Sequence, residues 1–107
     1  TLASAFAEDI TGRWTGTFRP AQAAEDGPAL LILKQDGEKV TGTAGPTENE
    51  RFDIEDGKVL DGKLTFTVRG GTMKFVLNVK DDGITGEATR EQDGETQKAK
   101  LDVKREK

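Results

Sequence analysis

Six Asp-Gly pairs, at residues 26-27, 36-37, 56-57, 61-62, 82-83 and 93-94, punctuate this 107-residue chain, most of them between runs in which apolar and polar residues alternate. Glycine accepts the positive φ that tight primed turns require, so such a pair between alternating runs signals a β-hairpin. Gly70-Gly71 marks a further turn. In the first run, "DITGRWTGTF", Ile10, Gly12, Trp14, Gly16 and Phe18 alternate with Thr11, Arg13, Thr15 and Thr17, which is strand spacing. The aspartates lack the ligand spacing of an EF-hand and are read as turn residues, not calcium ligands.

A one-residue slip would send a strand's apolar set outward, so each turn can be checked by the face its register builds. Centring a hairpin on Asp36-Gly37 sets Leu33 opposite Val40, Leu31 opposite Gly42 and Ala29 opposite Ala44. Gly70-Gly71 sets Val68 opposite Met73, Phe66 opposite Phe75 and Leu64 opposite Leu77. Asp81-Asp82 brings Val79 to Ile84 and Leu77 to Gly86, and Asp93-Gly94 brings Ala88 to Ala99, Gly86 to Leu101 and Ile84 to Val103. These four turns agree on one inward face. In "RFDIEDGKVLDGKL", Phe52 and Ile54 share one parity and Val59 the other, so a bulge is expected at Asp56-Gly57 to return the strand to that face.

The pattern predicts eight strands, near residues 10-18, 29-35, 39-45, 51-60, 63-69, 72-80, 83-90 and 95-104. The break "RPAQAAEDGP" has room for one helical turn at most between Pro20 and Pro28. "LKQDGEKVTGTA" is echoed in "VKDDGITGEAT", two similar hairpins and not a solenoid repeat. Sequential strands on short turns make a meander, and closing it removes exposed edges. The expected fold is therefore all-β, an eight-stranded antiparallel up-and-down barrel formed by one domain over residues 9–107. Residues 1–8 read as a flexible arm or the remnant of an export signal. Ala5-Phe6-Ala7 has the small-x-small form of a signal-peptidase site and Glu8-Asp9 follows it, which implies a periplasmic or secreted location. No segment approaches the length of a membrane-spanning helix.

Gly12-x-Trp14 on the first strand of an eight-stranded meander resembles the calycin superfamily, the lipocalins and avidin-like barrels. That resemblance implies that Trp14 plugs one end of the barrel beneath a basic side chain from the last strand, where Lys104 and Arg105 stand. Arg105 is the expected barrel-closing partner, since a cation over an indole face is favourable by about 0.5 to 2 kcal/mol. The chain also looks like a bacterial family of periplasmic metalloprotease inhibitors, small barrels with a first-strand Gly-x-Trp and an N-terminal arm that enters the enzyme.

Histidine, cysteine and tyrosine are absent and Ser4 is the sole serine, so the usual nucleophiles, imidazole bases and soft metal ligands are missing together. Asp53, Glu55 and Asp56, with Glu48 and Glu50 before them, occupy turn or outward positions where carboxylates are ordinarily solvated. The expectation is a non-enzymatic protein with no cofactor and no metal site. A net charge of -4 gives no electrostatic footprint for nucleic acid.

Inward positions differ in size. Phe18, Phe66, Met73 and Phe75 face glycines and alanines at Gly12, Gly16, Gly42, Ala44, Gly86, Ala88 and Ala99. Either the small residues leave a pocket walled by those four, which would take a small apolar ligand, or they make room for the large ones in a solid core. The functional expectation is an exported binding barrel for a small apolar ligand. The alternatives are a protein-binding barrel such as a periplasmic protease inhibitor, or an accessory domain with a filled interior. Leu30, Ile32 and Val76 point outward. Leu30 and Ile32 either lie under the N-terminal arm or the 19–28 loop, or offer a surface for self-association.

Overall fold

The computed structural model describes residues 9–21, 25–92 and 94–106. The strands are β1 (Gly12–Pro20), β2 (Gly27–Asp36), β3 (Lys39–Thr47), β4 (Glu50–Asp53), β5 (Glu55–Leu60), β6 (Lys63–Val68), β7 (Met73–Lys80), β8 (Gly83–Gln92) and β9 (Glu95–Arg105). β4 and β5 both pair with β3 and are two lengths of one stave broken at Ile54. Consecutive staves run antiparallel, and β9 returns to pair with β1. The result is an all-β, closed, up-and-down barrel of eight staves, with no helix among the described residues. The Ala5-Phe6-Ala7 motif and residues 22–24 of the break between Pro20 and Pro28 lie outside those residues.

Three of the four expected registers are observed. Phe66 faces Phe75, Leu77 faces Gly86 and Ala88 faces Ala99, each as the turn sequences imply. The β2–β3 hairpin is displaced by two residues: Leu33 faces Gly42, Leu31 faces Ala44, and Val40 lies opposite Gln35 and not Leu33. Asp36 pairs with Lys39, so Gly37 and not Asp36 opens the two-residue loop, with a φ of 66°. That is the position a II′ turn reserves for glycine. A slip of two leaves every side chain on its face, and Val40 remains buried. In the β5–β6 hairpin Asp61 and Gly62 both take positive φ, at 54° and 77°, as a type I′ turn requires.

The expected bulge is present. The β5–β6 register shifts between Glu55 and Lys58, and Asp56 has a φ of 54°. It restores Val59 to the interior, where it packs partly buried against the core. Phe52 departs from expectation, being 40% exposed. It shares a cross-strand pair with buried Ala44, but β4 pairs with β3 alone, and β6 begins its pairing only at Glu55. No stave lies on the far side of Phe52 to enclose it, and the Arg69 guanidinium sits 5.2 Å from its ring centroid instead.

The interior holds Trp14, Leu64, Leu77, Ile84 and Val103, all fully enclosed. The inward glycines do not face empty space. A Cβ on Gly42 would land on the Ile32 carbonyl oxygen of the neighbouring strand, and one on Gly86 would come within 2.7 Å of the Leu77 Cα. Their function is to let adjacent backbones approach and coil, which small barrels need at their tightest curvature.

Of the outward aliphatics, Val76 is 41% exposed, Ile32 is half-buried and Leu30 is only 4% exposed, although it lies outside the core cluster. Arg13 on β1 forms an ion pair with Glu48, at the tip of the β3–β4 hairpin, at 2.8 Å. β2 lies between those strands, so this bridge crosses its outer face, where Leu30 and Ile32 point. A register shift between Ala44 and Thr47 lets the tip lean that way.

Gly42→Ala is expected to destabilise the fold by at least about 1 to 3 kcal/mol, because its φ of 134° and the Ile32 carbonyl leave no room for a methyl group. Urea unfolding should show a lower midpoint at an unchanged slope.

Candidate functional site

The two ends of the barrel are chemically different. At the lower end, β1 and β9 place Trp14 directly across from Arg105. The guanidinium stacks 4.4 Å above the indole and each of its three nitrogens donates a hydrogen bond: Nη1 to the Thr11 carbonyl at 2.9 Å, Nη2 to the Asp9 carbonyl at 2.9 Å, and Nε to the Asp82 carboxylate at 3.2 Å. The indole N–H donates to the Ile10 carbonyl at 3.0 Å, so the buried ring leaves no polar group unpaired. Gln35 ties the preceding segment down, accepting from the Ile10 N–H at 2.9 Å. Gly12 has a φ of 145°, a conformation that favours glycine, and a Cβ there would also press on Arg105 Nη1 at 3.3 Å. This end is shut.

Two carboxylates serve this end and the adjoining bridge. The Thr11 hydroxyl and then its backbone N–H hold Asp9 below the usual aspartate range, with Arg105 adding a smaller attraction. Hydrogen bonding to Arg13 lowers Glu48 in the same way and raises Arg13.

At the opposite end, the interior opens into a recess of about 120 Å³ lined by Phe18, Pro20, Met73, Ala88, Arg90, Gln97, Lys98 and Ala99. Phe66 and Phe75 stack at 4.6 Å with ring planes 19° apart, and Phe18 tilts against Phe75 at 6.4 Å. Phe66 and Phe75, at 1% and 5% exposure, belong to the packed layer beside the recess and not to its surface. Of the four residues expected to wall a pocket, Phe18 and Met73 line the recess, half-buried. The stacked pair fills the axis and limits its depth.

Two lining residues were not singled out from the sequence. Arg90 continues the inward set Ile84, Gly86, Ala88, and Gln97 continues Val103, Leu101, Ala99. They face each other across β8 and β9, and Arg90 also faces Met73 across β7. Arg90 Nη2 donates to Gln97 Oε1 at 2.6 Å. Extending the period-2 alternation by one step on each strand finds both. Residues so close to the Asp93-Gly94 turn read more simply as solvated charge.

A wider surface depression of about 400 Å³ runs outside the wall beside Arg19, Glu87, Lys98 and Lys100. Arg19 approaches Asp26 at 3.8 Å and Glu87 lies directly opposite Lys100, so its charges are locally compensated and it lacks an apolar floor of inward side chains. The open end is the stronger candidate. Among the described residues no three His, Cys, Asp or Glu side chains gather closely enough to hold a metal ion. No protein-family model matches the chain, and no curated protein matches it significantly.

Trp14→Ala is expected to cost about 3 to 5 kcal/mol in chemical denaturation. Arg105→Ala should cost less, about 1 to 3 kcal/mol, the scale of charged hydrogen bonds. Asp9 and Glu48 both have lowered folded values, so their stabilisation is present above the ordinary carboxylate range near pH ~4 and is lost as pH falls through the lowered values. The double variant Asp9→Asn, Glu48→Gln should therefore lose stability at pH 7 and show a flatter decline between pH 5 and 2, measured by urea unfolding across that range.

Proposed function

We propose that the protein is a non-enzymatic binding barrel of calycin type that receives a small apolar ligand, or the apolar part of one, in the recess at its open end. The observation that carries this reading is the contrast between the ends. One is sealed by an indole under a guanidinium that bonds through all three of its nitrogens, while at the other Phe18 and Met73 remain half-buried around an opening. Inward apolar side chains left partly wet in a barrel of this size are where an apolar guest gains most from burial. Gly12-x-Trp14 under Arg105 supports the calycin kinship, and the Ala5-Phe6-Ala7 motif supports an exported setting.

Size narrows the guest. Drug-sized ligands occupy pockets of about 300 to 1,000 Å³, and a cavity of about 150 Å³ takes a benzene ring. The recess, at about 120 Å³, fits one ring or a short chain, with the remainder of the molecule outside. The stacked Phe66–Phe75 pair stands against a long tail threaded down the axis.

Titration with a panel of small hydrophobic fluorophores, read through the probe's own emission because Trp14 lies at the sealed end, should show saturable one-to-one binding. Met73→Glu should abolish it, and Val76→Glu on the outer wall should leave it unchanged. Absence of saturable binding across the panel, or equal binding by Met73→Glu, would overturn the proposal.

A further inference from the structure

Resting on the reading of the open end as a ligand site, we infer that its ligand is a small amphipathic carboxylate, with a ring or short chain in the recess and its carboxylate on Arg90. Both ends of the barrel carry an inward arginine, and the two are treated differently. Arg105 has two backbone carbonyls, a carboxylate and an indole face. Arg90 is half-buried beside Met73 and, among the described residues, has the single amide oxygen of Gln97. Among the described residues no carboxylate lies within ion-pair distance of Arg90, whereas Arg13 has two and Arg19 and Arg105 have one each; Arg51 and Arg69, which also have none there, are exposed to water, while Arg90 is half-buried.

The lining of the recess repeats the asymmetry. Among the described residues Arg90 is the one inward cation of its lining, Lys98 standing at the rim with its side chain on the outer face, and the lining has no acidic side chain, in a chain whose net charge is -4. A partly desolvated guanidinium without an anion is unfavourable, and its planar fork matches a carboxylate with two parallel hydrogen bonds. Gln97 Oε1, 2.6 Å from Nη2, fixes the plane of that fork and leaves the remaining N–H groups to be used. The Gln97 amide N–H₂ can add a further donor. Phe18 and Met73 supply the apolar contact next to it. An aromatic or short aliphatic monocarboxylate satisfies all of these groups at once, and a neutral molecule of the same shape leaves the guanidinium unmet.

The test compares 3-phenylpropionate with its uncharged counterpart 3-phenylpropan-1-ol by calorimetry and by chemical-shift titration of the full chain. The acid is expected to bind at least ten-fold more tightly than the alcohol, with an advantage that shrinks as salt is raised. Arg90→Gln should abolish the preference, bringing the acid and the alcohol to equal affinity. Arg90→Lys, which keeps the charge without the fork, should retain part of the preference. Equal binding of acid and alcohol by the unsubstituted protein, or a preference that survives in Arg90→Gln, would overturn the carboxylate assignment while leaving an apolar site standing. Failure of both compounds and of the fluorophore panel to bind would overturn the site itself. Thermal unfolding of both Arg90 variants close to that of the parent chain confirms that the comparison is made on folded protein.

Discussion

The pairing of β9 with β1 is the constraint on which the rest of the molecule depends. Until that seam forms, the chain is a curved meander whose apolar face is open to water and whose outermost strands carry unpaired backbone groups. Once Trp14 lies across from Arg105 and Phe18 across from Leu101, the face becomes an interior. The seam also assembles the plug, because indole and guanidinium come from opposite ends of the sequence. Cation, ring and backbone carbonyls are mutually satisfied there, so a charged side chain at an inward position costs little.

The same closure leaves a different problem at the other end. Towards Phe18, Met73, Arg90 and Gln97 the interior opens into the recess, and β4 has a partner on one side only. Phe52 is exposed as a direct consequence, with Arg69 laid over it. Charged residues Glu50, Arg51 and Asp53 on that short free edge discourage pairing with a second chain, a common protection for edge strands. The open end therefore combines incomplete coverage of apolar surface with one inward guanidinium, Arg90, and the proposed ligand rests on that combination.

Much of the architecture was legible in local sequence. Asp61-Gly62 and Gly70-Gly71 dictate their turns through positive φ, and a hairpin's register follows from its turn, so Phe66 opposite Phe75 could be read without a structure. The Asp36-Gly37 hairpin shows the limit of that logic. A glycine fits either central position of a two-residue loop, and the alternative placements differ by a register slip that preserves the faces, so alternation could not separate them. The candidate site was legible in part. Phe18 and Met73 were found through parity and size, whereas Phe66 and Phe75 were drawn in by the same criteria and turned out to be enclosed by each other.

By itself, the sequence determined that this chain is a meander of short antiparallel strands with one apolar face, because turn chemistry and period-2 alternation are properties of neighbouring residues. Only the tertiary structure decided which inward positions are sealed and which stay open. Glycines that looked like space for a ligand prove to be points where backbones meet, and Leu30 is covered although it points away from the core. Arg90 and Gln97 acquire their meaning only beside Phe18, more than seventy residues away along the chain. Burial depends on what lies across the barrel, and that is fixed by closure and stave coverage, which no local pattern encodes.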